Sequence, residues 1–81
     1  MRITVRLFAR LRDLTGAAEL TRDVPAGATV GQVWAQLTGE FPALAAYGPS
    51  LSSAVNADYA RMDAPVADGD EVAFLPPVSG G

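Results

Sequence analysis

The stretch Thr29-Val30-Gly31-Gln32-Val33-Trp34-Ala35-Gln36-Leu37-Thr38-Gly39-Glu40-Phe41-Pro42 decides how this chain folds. Its first four residues have the form of a capping box. The Thr29 hydroxyl accepts from a free backbone N–H of the first turn, and the Gln32 side chain reaches back to the cap. Val30, Val33, Trp34, Leu37 and Phe41 follow at helical spacing and make a single apolar stripe. Gly39 and the Phe41-Pro42 step mark the end, because the residue before a proline avoids the helical region. Trp34 is the only tryptophan, and its spacing with Val30 and Leu37 assigns it to the centre of a core rather than to a ligand. A helix with one apolar stripe needs one apolar floor.

The flanking segments supply that floor. Residues 2–8 alternate as a half-buried strand, with Ile3, Val5 and Leu7 on one side and Arg2, Thr4, Arg6 and Phe8 on the other. Residues 19–24 alternate again, with Leu20, Arg22 and Val24 sharing a face, and stop at Pro25. Together they read as an antiparallel hairpin whose connection, residues 9–18, contains Gly16 and is longer than a tight turn. Beyond the helix, residues 42–50 read as irregular or as a short helical turn. Residues 53–57 read as a short strand, Asn56-Ala57-Asp58 as a turn into residues 59–62, and Asp68-Gly69-Asp70 as a further turn. Glu71-Val72-Ala73-Phe74-Leu75 is the last strand, with Val72 and Phe74 inward, and Pro76-Pro77 end it because neither can donate to a ladder.

One striped helix and several one-faced strands are satisfied most economically by laying the helix across one mixed sheet. The first hairpin and the last strand must then meet under the helix, which gives an α+β, β-grasp arrangement with the first and last strands parallel at the centre. The expected organisation is a β-grasp domain over residues 1–75 and a flexible, extended C-terminal tail over residues 76–81.

Composition narrows the chemistry. Eighty-one residues are enough for one compact domain. There is no cysteine, so no thiolate nucleophile or thiolate metal ligand, and no histidine, the usual proton shuttle near neutral pH. Lysine is absent as well, which removes Schiff-base chemistry. The net charge of −3 argues against a nucleic-acid partner. No apolar run approaches the length of a membrane span, and the alternating N-terminus lacks a signal peptide's apolar stretch, so a soluble cytoplasmic protein is expected. Arg2, Arg6, Arg10, Arg12 and Arg22 lie early, whereas Asp58, Asp63, Asp68, Asp70 and Glu71 crowd the last third. Solvated faces account for this asymmetry, and steering of the acidic end toward a basic pocket is the sharper alternative.

Few residues remain as candidate sites. Asp68-Gly69-Asp70-Glu71 lacks the spacing of a calcium loop, and no metal site is expected. Ser50, Ser52 and Ser53 have no histidine to activate them, and Gly27, Gly31 and Gly39 form no phosphate-binding motif. Phe8 and Leu75 both fall by alternation on the sheet face away from the helix. If the first and last strands are neighbours, the two merge into a docking patch beside the root of the tail. The tail is Pro76-Pro77-Val78-Ser79-Gly80-Gly81. Two terminal glycines arise by chance in only about 0.5% of chains at average usage. Pro76-Pro77 favours a stiff polyproline-like rise, and Gly-Gly is thin enough to pass through a narrow channel. Fully extended, the six residues reach roughly 20 Å, enough to cross the wall of another protein's active site. Insertion of Pro76 to Gly80 would deliver the Gly81 carboxylate, the one group whose chemistry stands out. A frayed terminus is the plain alternative.

Phe8-Ala9, Arg12-Asp13 and Gly16 resemble the first strand-and-loop signature of the small-subunit family of molybdopterin synthase. Ala54-Val55-Asn56, Asp68-Gly69-Asp70-Glu71-Val72-Ala73-Phe74 and Pro76-Pro77-Val78-Ser79-Gly80-Gly81 are similar to that family's second half. Leu75 stands where an aromatic residue is common. The resemblance implies a ubiquitin-like sulfur carrier without a catalytic centre or a permanently bound cofactor of its own. An adenylating enzyme would use ATP to activate the Gly81 carboxylate, and a sulfurtransferase would help to convert it to a thiocarboxylate. The tail would then enter the large catalytic subunit and donate sulfur to a pterin precursor in molybdenum cofactor biosynthesis. A thiamine-pathway sulfur carrier, a ubiquitin-like protein modifier and a non-catalytic β-grasp interaction module stay open as alternatives.

Overall fold

A computed structural model describes residues 1–77 of the chain. The elements run β1 (Arg2–Leu7), α1 (Arg10–Thr15), β2 (Glu19–Asp23), α2 (Val30–Glu40), a 3-10 segment (Pro42–Ser50), β3 (Ser52–Val55), β4 (Asp58–Tyr59) and β5 (Glu71–Leu75). The five strands form one sheet in the order β2-β1-β5-β3-β4. β1 and β5 pair in parallel, with Val5 beside Val72 and Leu7 beside Phe74, and every other pair is antiparallel. This is the β-grasp arrangement expected from the patterns.

α2 starts as its sequence predicts. Thr29 Oγ1 accepts from the Gln32 N–H at 3.2 Å, and Gln32 Oε1 accepts from the Thr29 N–H at 2.8 Å. Two more N–H groups at this end donate to the loop before β5, Val30 to the Ala64 carbonyl at 2.9 Å and Gly31 to the Met62 carbonyl at 2.7 Å. Val30, Val33, Trp34 and Leu37 are buried against Ile3, Val5, Leu7, Val72 and Phe74 of the sheet. Trp34 and Phe74 meet with ring centroids 5.0 Å apart and planes tilted by 50°. Phe74 is the fully enclosed aromatic, while Trp34 keeps 8% of its exposure.

Several boundaries differ from the expectation. The strand read over residues 2–8 ends at Leu7. The connection read over residues 9–18 contains α1, which buries Leu11 and closes on Gly16 at φ 75°. The strand read over residues 53–57 is Ser52–Val55, because Asn56 and Ala57 both adopt positive φ (50° and 71°) and turn the chain into β4. Two positive-φ residues between paired strands are what a tight hairpin with the sheet's right-handed twist requires.

Candidate functional site

Parallel pairing of β1 and β5 creates the site. Leu7 lies beside Phe74, so Phe8, the residue after β1, comes next to Leu75, the last residue of β5, which still pairs with Ser52 of β3. Ala9 then turns β1 away at φ 52° into α1, while Leu75 leads into Pro76 and Pro77. The result is an open groove of about 630 Å³ lined by Phe8, Ala9, Arg10, Tyr47, Leu75, Pro76 and Pro77. The groove is walled on one side by the body of the fold and on the other by the root of the tail.

Of the residues singled out in the sequence, the structure brings together Phe8, Leu75, Pro76 and Pro77. Phe8 is 39% exposed and Leu75 is partly buried. Val78, Ser79, Gly80 and the Gly81 carboxyl group lie outside the described residues.

The outer face of the sheet, opposite α2, continues from this groove. Registers align Glu19, Arg6, Ala73, Ala54 and Tyr59 across all five strands on that face. Arg6 sits near its middle, with Nη1 3.6 Å from Glu71 Oε2 and 4.0 Å from Glu19 Oε1. Its guanidinium carbon lies 5.8 Å from the centre of the Phe8 ring. Such exposed pairs contribute little stability; the guanidinium they flank lies over the Phe8 ring within cation–π reach. Tyr59 stands at the far edge with 90% exposure.

Two residues of this surface, Tyr47 and Tyr59, escaped the reading of the sequence. Tyr47 comes from the 3-10 segment, whose pattern carries no period that would aim it at the groove. Tyr59 could have been assigned to the outer face only with the β3–β4 register known.

The acidic turn before β5 has a structural task. Asp68 Oδ1 accepts from the Arg2 N–H at 2.7 Å, which fastens the turn to β1. Asp70 accepts from Asn56 Nδ2 at 2.9 Å and from the Ala67 N–H at 2.7 Å, and these bonds hold its carboxyl below the ordinary range. Among the described residues, no three acidic side chains come close enough to hold a metal ion, and no helix is long and apolar enough to cross a membrane.

Comparison with known proteins adds a consistent set of relatives. The family model described as ThiS family matches residues 5–81. The molybdopterin synthase sulfur carrier subunit of Escherichia coli is 42% identical over 81 residues, covering 98% of this chain and 99% of that protein. Its namesake in Arabidopsis thaliana is 40% identical over 79 residues, covering 98% of this chain and 82% of that protein. The small archaeal modifier protein 1 of Haloferax volcanii is 36% identical over 84 residues, covering 94% of this chain and 97% of that protein. The crystal structure of SAMP1 from Haloferax volcanii superposes with a TM-score of 0.88 at 34% identity, covering 100% of both chains.

Proposed function

This chain belongs to the ThiS family, and from that premise we propose that it is the sulfur carrier subunit of molybdopterin synthase, acting in molybdenum cofactor biosynthesis. Residues 1–75 are the docking body and residues 76–81 the delivery arm. The reacting group is the Gly81 carboxylate. Alone it is a poor acyl donor, because the oxygen it would have to expel is a poor leaving group. An activating enzyme corrects this with ATP: a carboxylate oxygen attacks the α-phosphorus, pyrophosphate leaves, and AMP becomes the leaving group of a mixed anhydride. The outer sulfur of a sulfurtransferase persulfide then attacks the acyl carbon and expels AMP. A second thiol cleaves the resulting S–S bond, forming a disulfide with the transferase sulfur and leaving a thiocarboxylate on Gly81. The arm carries that sulfur into the large catalytic subunit, where a pterin precursor accepts it. These steps consume ATP, which fits a protein that works in the cytoplasm.

The observation that carries this reading is the convergence of Phe8 and Leu75 at the root of Pro76-Pro77. A partner that covers the groove and the outer face holds the arm at its base, so less freedom remains to be lost when the tip is inserted. The chain has no cysteine, histidine or lysine for the chemistry, which fits a substrate-like subunit served by its partners' active sites. The test is direct. Incubation with ATP, the activating enzyme and a sulfur source should replace one oxygen of Gly81 by sulfur, read by intact mass. The product should then convert pterin precursor only when the large subunit is present. An unchanged mass with the cognate activator would overturn the proposal.

The kinship with small archaeal modifier protein 1 favours one second reading, in which the activated Gly81 acylates lysines of other proteins. Under that reading the same incubation with cell extract yields higher-mass conjugates through an amide at Gly81, and loss of the large subunit leaves them unaffected.

A further inference from the structure

Among the described residues, β2 is an outermost strand of the sheet and forms one of its edges. The bonds from the Leu7 N–H to the Ala18 carbonyl at 2.9 Å and from the Val24 N–H to the Met1 carbonyl at 2.8 Å bracket this strand. Antiparallel alternation then turns Leu20 and Arg22 toward β1 for their backbone bonds, and Glu19, Thr21 and Asp23 outward. A row of outward N–H and carbonyl groups is a template on which another strand can pair. The opposite edge, β4, is only two residues long and offers a much shorter template.

Two of the three outward carbonyls of β2 are already occupied by side chains. Arg22 Nη1 donates to the Thr21 carbonyl at 2.8 Å, and Gln36 Nε2 donates to the Asp23 carbonyl at 3.3 Å. Arg22 is itself held in place by Glu40: its Nε donates to Oε2 at 3.0 Å, and its Nη2 donates to Oε1. Gln36 and Glu40 lie one turn apart on α2, so the packing of the helix sets the position of both caps at once.

We infer that Arg22, Gln36 and Glu40 form a lock that stops β2 from pairing edge to edge with β2 of a second copy of this chain. A second copy is the partner in question because it presents the same outward spacing. Two β2 strands meeting about a two-fold axis would each offer N–H groups to the carbonyls that the lock now holds. Pairing along the whole strand would require the Arg22 and Gln36 bonds to break, because of the three outward carbonyls only that of Glu19 lies outside the lock. The lock thereby leaves the outer face and the groove at Pro76 and Pro77 as surfaces open to a partner.

The test is sedimentation velocity of the full chain over a concentration series, with far-UV circular dichroism to check the fold. Arg22→Ala combined with Gln36→Ala should strengthen self-association by about tenfold or more, the effect of freeing two carbonyls. The amide signals of Thr21 and Asp23 should then shift with concentration. Glu40→Ala, which frees the guanidinium but leaves both caps in the chain, should give a smaller rise in the same direction. Arg2→Ala removes an ion pair to the Asp23 side chain at 3.1 Å without uncovering a carbonyl, and should match the unaltered protein. A folded double variant that associates no more than the unaltered chain overturns the inference, as does association that shifts amides away from β2. If the double variant fails to fold, Glu40→Ala decides: no rise over the unaltered chain overturns the lock.

Discussion

The side chains of Asn56 and Asp70 join at 2.9 Å, and the same Asn56 offers its side-chain oxygen to the Glu71 N–H at 2.9 Å. One amide thus ties the β3–β4 turn to the entry of β5, the strand that leads into the tail. The position of the tail root is inherited from this bond as well as from the core.

Acid should loosen that tie. The Asn56 side chain, then the Ala67 N–H, lower the Asp70 pKa from 3.8. A carboxyl whose folded pKa is depressed contributes stability that is present above the unfolded value and lost as pH falls through the folded one. Asp23 follows the same rule, lowered by its bond to Arg2. Thermal unfolding of the protein and of Asp70→Asn should therefore differ most at neutral pH and converge below pH 3.8. A gap of constant size would show that the charge is not its source.

Two glycines of α2 should respond to alanine with opposite signs. A Cβ at Gly31 would meet the Met62 carbonyl oxygen at 3.0 Å, and that oxygen is bonded to the Gly31 N–H. Gly31→Ala is expected to destabilise by about 1–3 kcal/mol through overpacking. A Cβ at Gly39 meets nothing within 4 Å, so Gly39→Ala should stabilise by about 0.5–1 kcal/mol through helix propensity. Denaturant midpoints of the two variants should fall on either side of the unaltered chain.

Ala57 holds φ at 71° without being a glycine. The left-handed region costs an ordinary residue about 1–2 kcal/mol, so Ala57→Gly should raise the melting temperature. The reverse is expected of Asn56→Gly, which also tolerates positive φ but forfeits the bonds to Asp70 and Glu71. A rise in both would mean that the side-chain bonds of Asn56 contribute nothing.

Phe8→Asp and Tyr59→Asp should each weaken binding to the large synthase subunit by about tenfold or more, the loss typical of a buried aromatic anchor. Their melting temperatures should stay near that of the parent, because both side chains are exposed in the free protein. Calorimetric titration separates the two effects. Unchanged affinity in both variants would remove the outer face from the docking surface.

The main helix and the one-faced strands were readable in the sequence because each carries a period that a single buried face imposes, and the central parallel pair followed from the need for one floor under the helix. Val30, Val33, Trp34 and Leu37 mark one stripe, and Ile3, Val5 and Leu7 mark one strand face. α1 was not readable, for it has six residues and starts at Ala9 with no side-chain cap. Leu11 and the following Gly16 were its only signals. The groove was half legible: Phe8 and Leu75 followed from alternation plus adjacency of the end strands. Tyr47 belongs to it by a tertiary fold-back that no local pattern encodes.

The pairing of β1 with β5 has a kinetic corollary. The strand that opens the fold has one of its two neighbours nearly at the far end of the chain. Closing so long a loop costs entropy before any contact repays it. High contact order of this kind predicts folding slower than that of a helical bundle of equal size. It also means that a nascent chain lacking β5 cannot seal its core against α2. The arm is therefore mounted on the strand whose pairing with β1 closes the core, so a correctly rooted tail reports that the whole domain has formed.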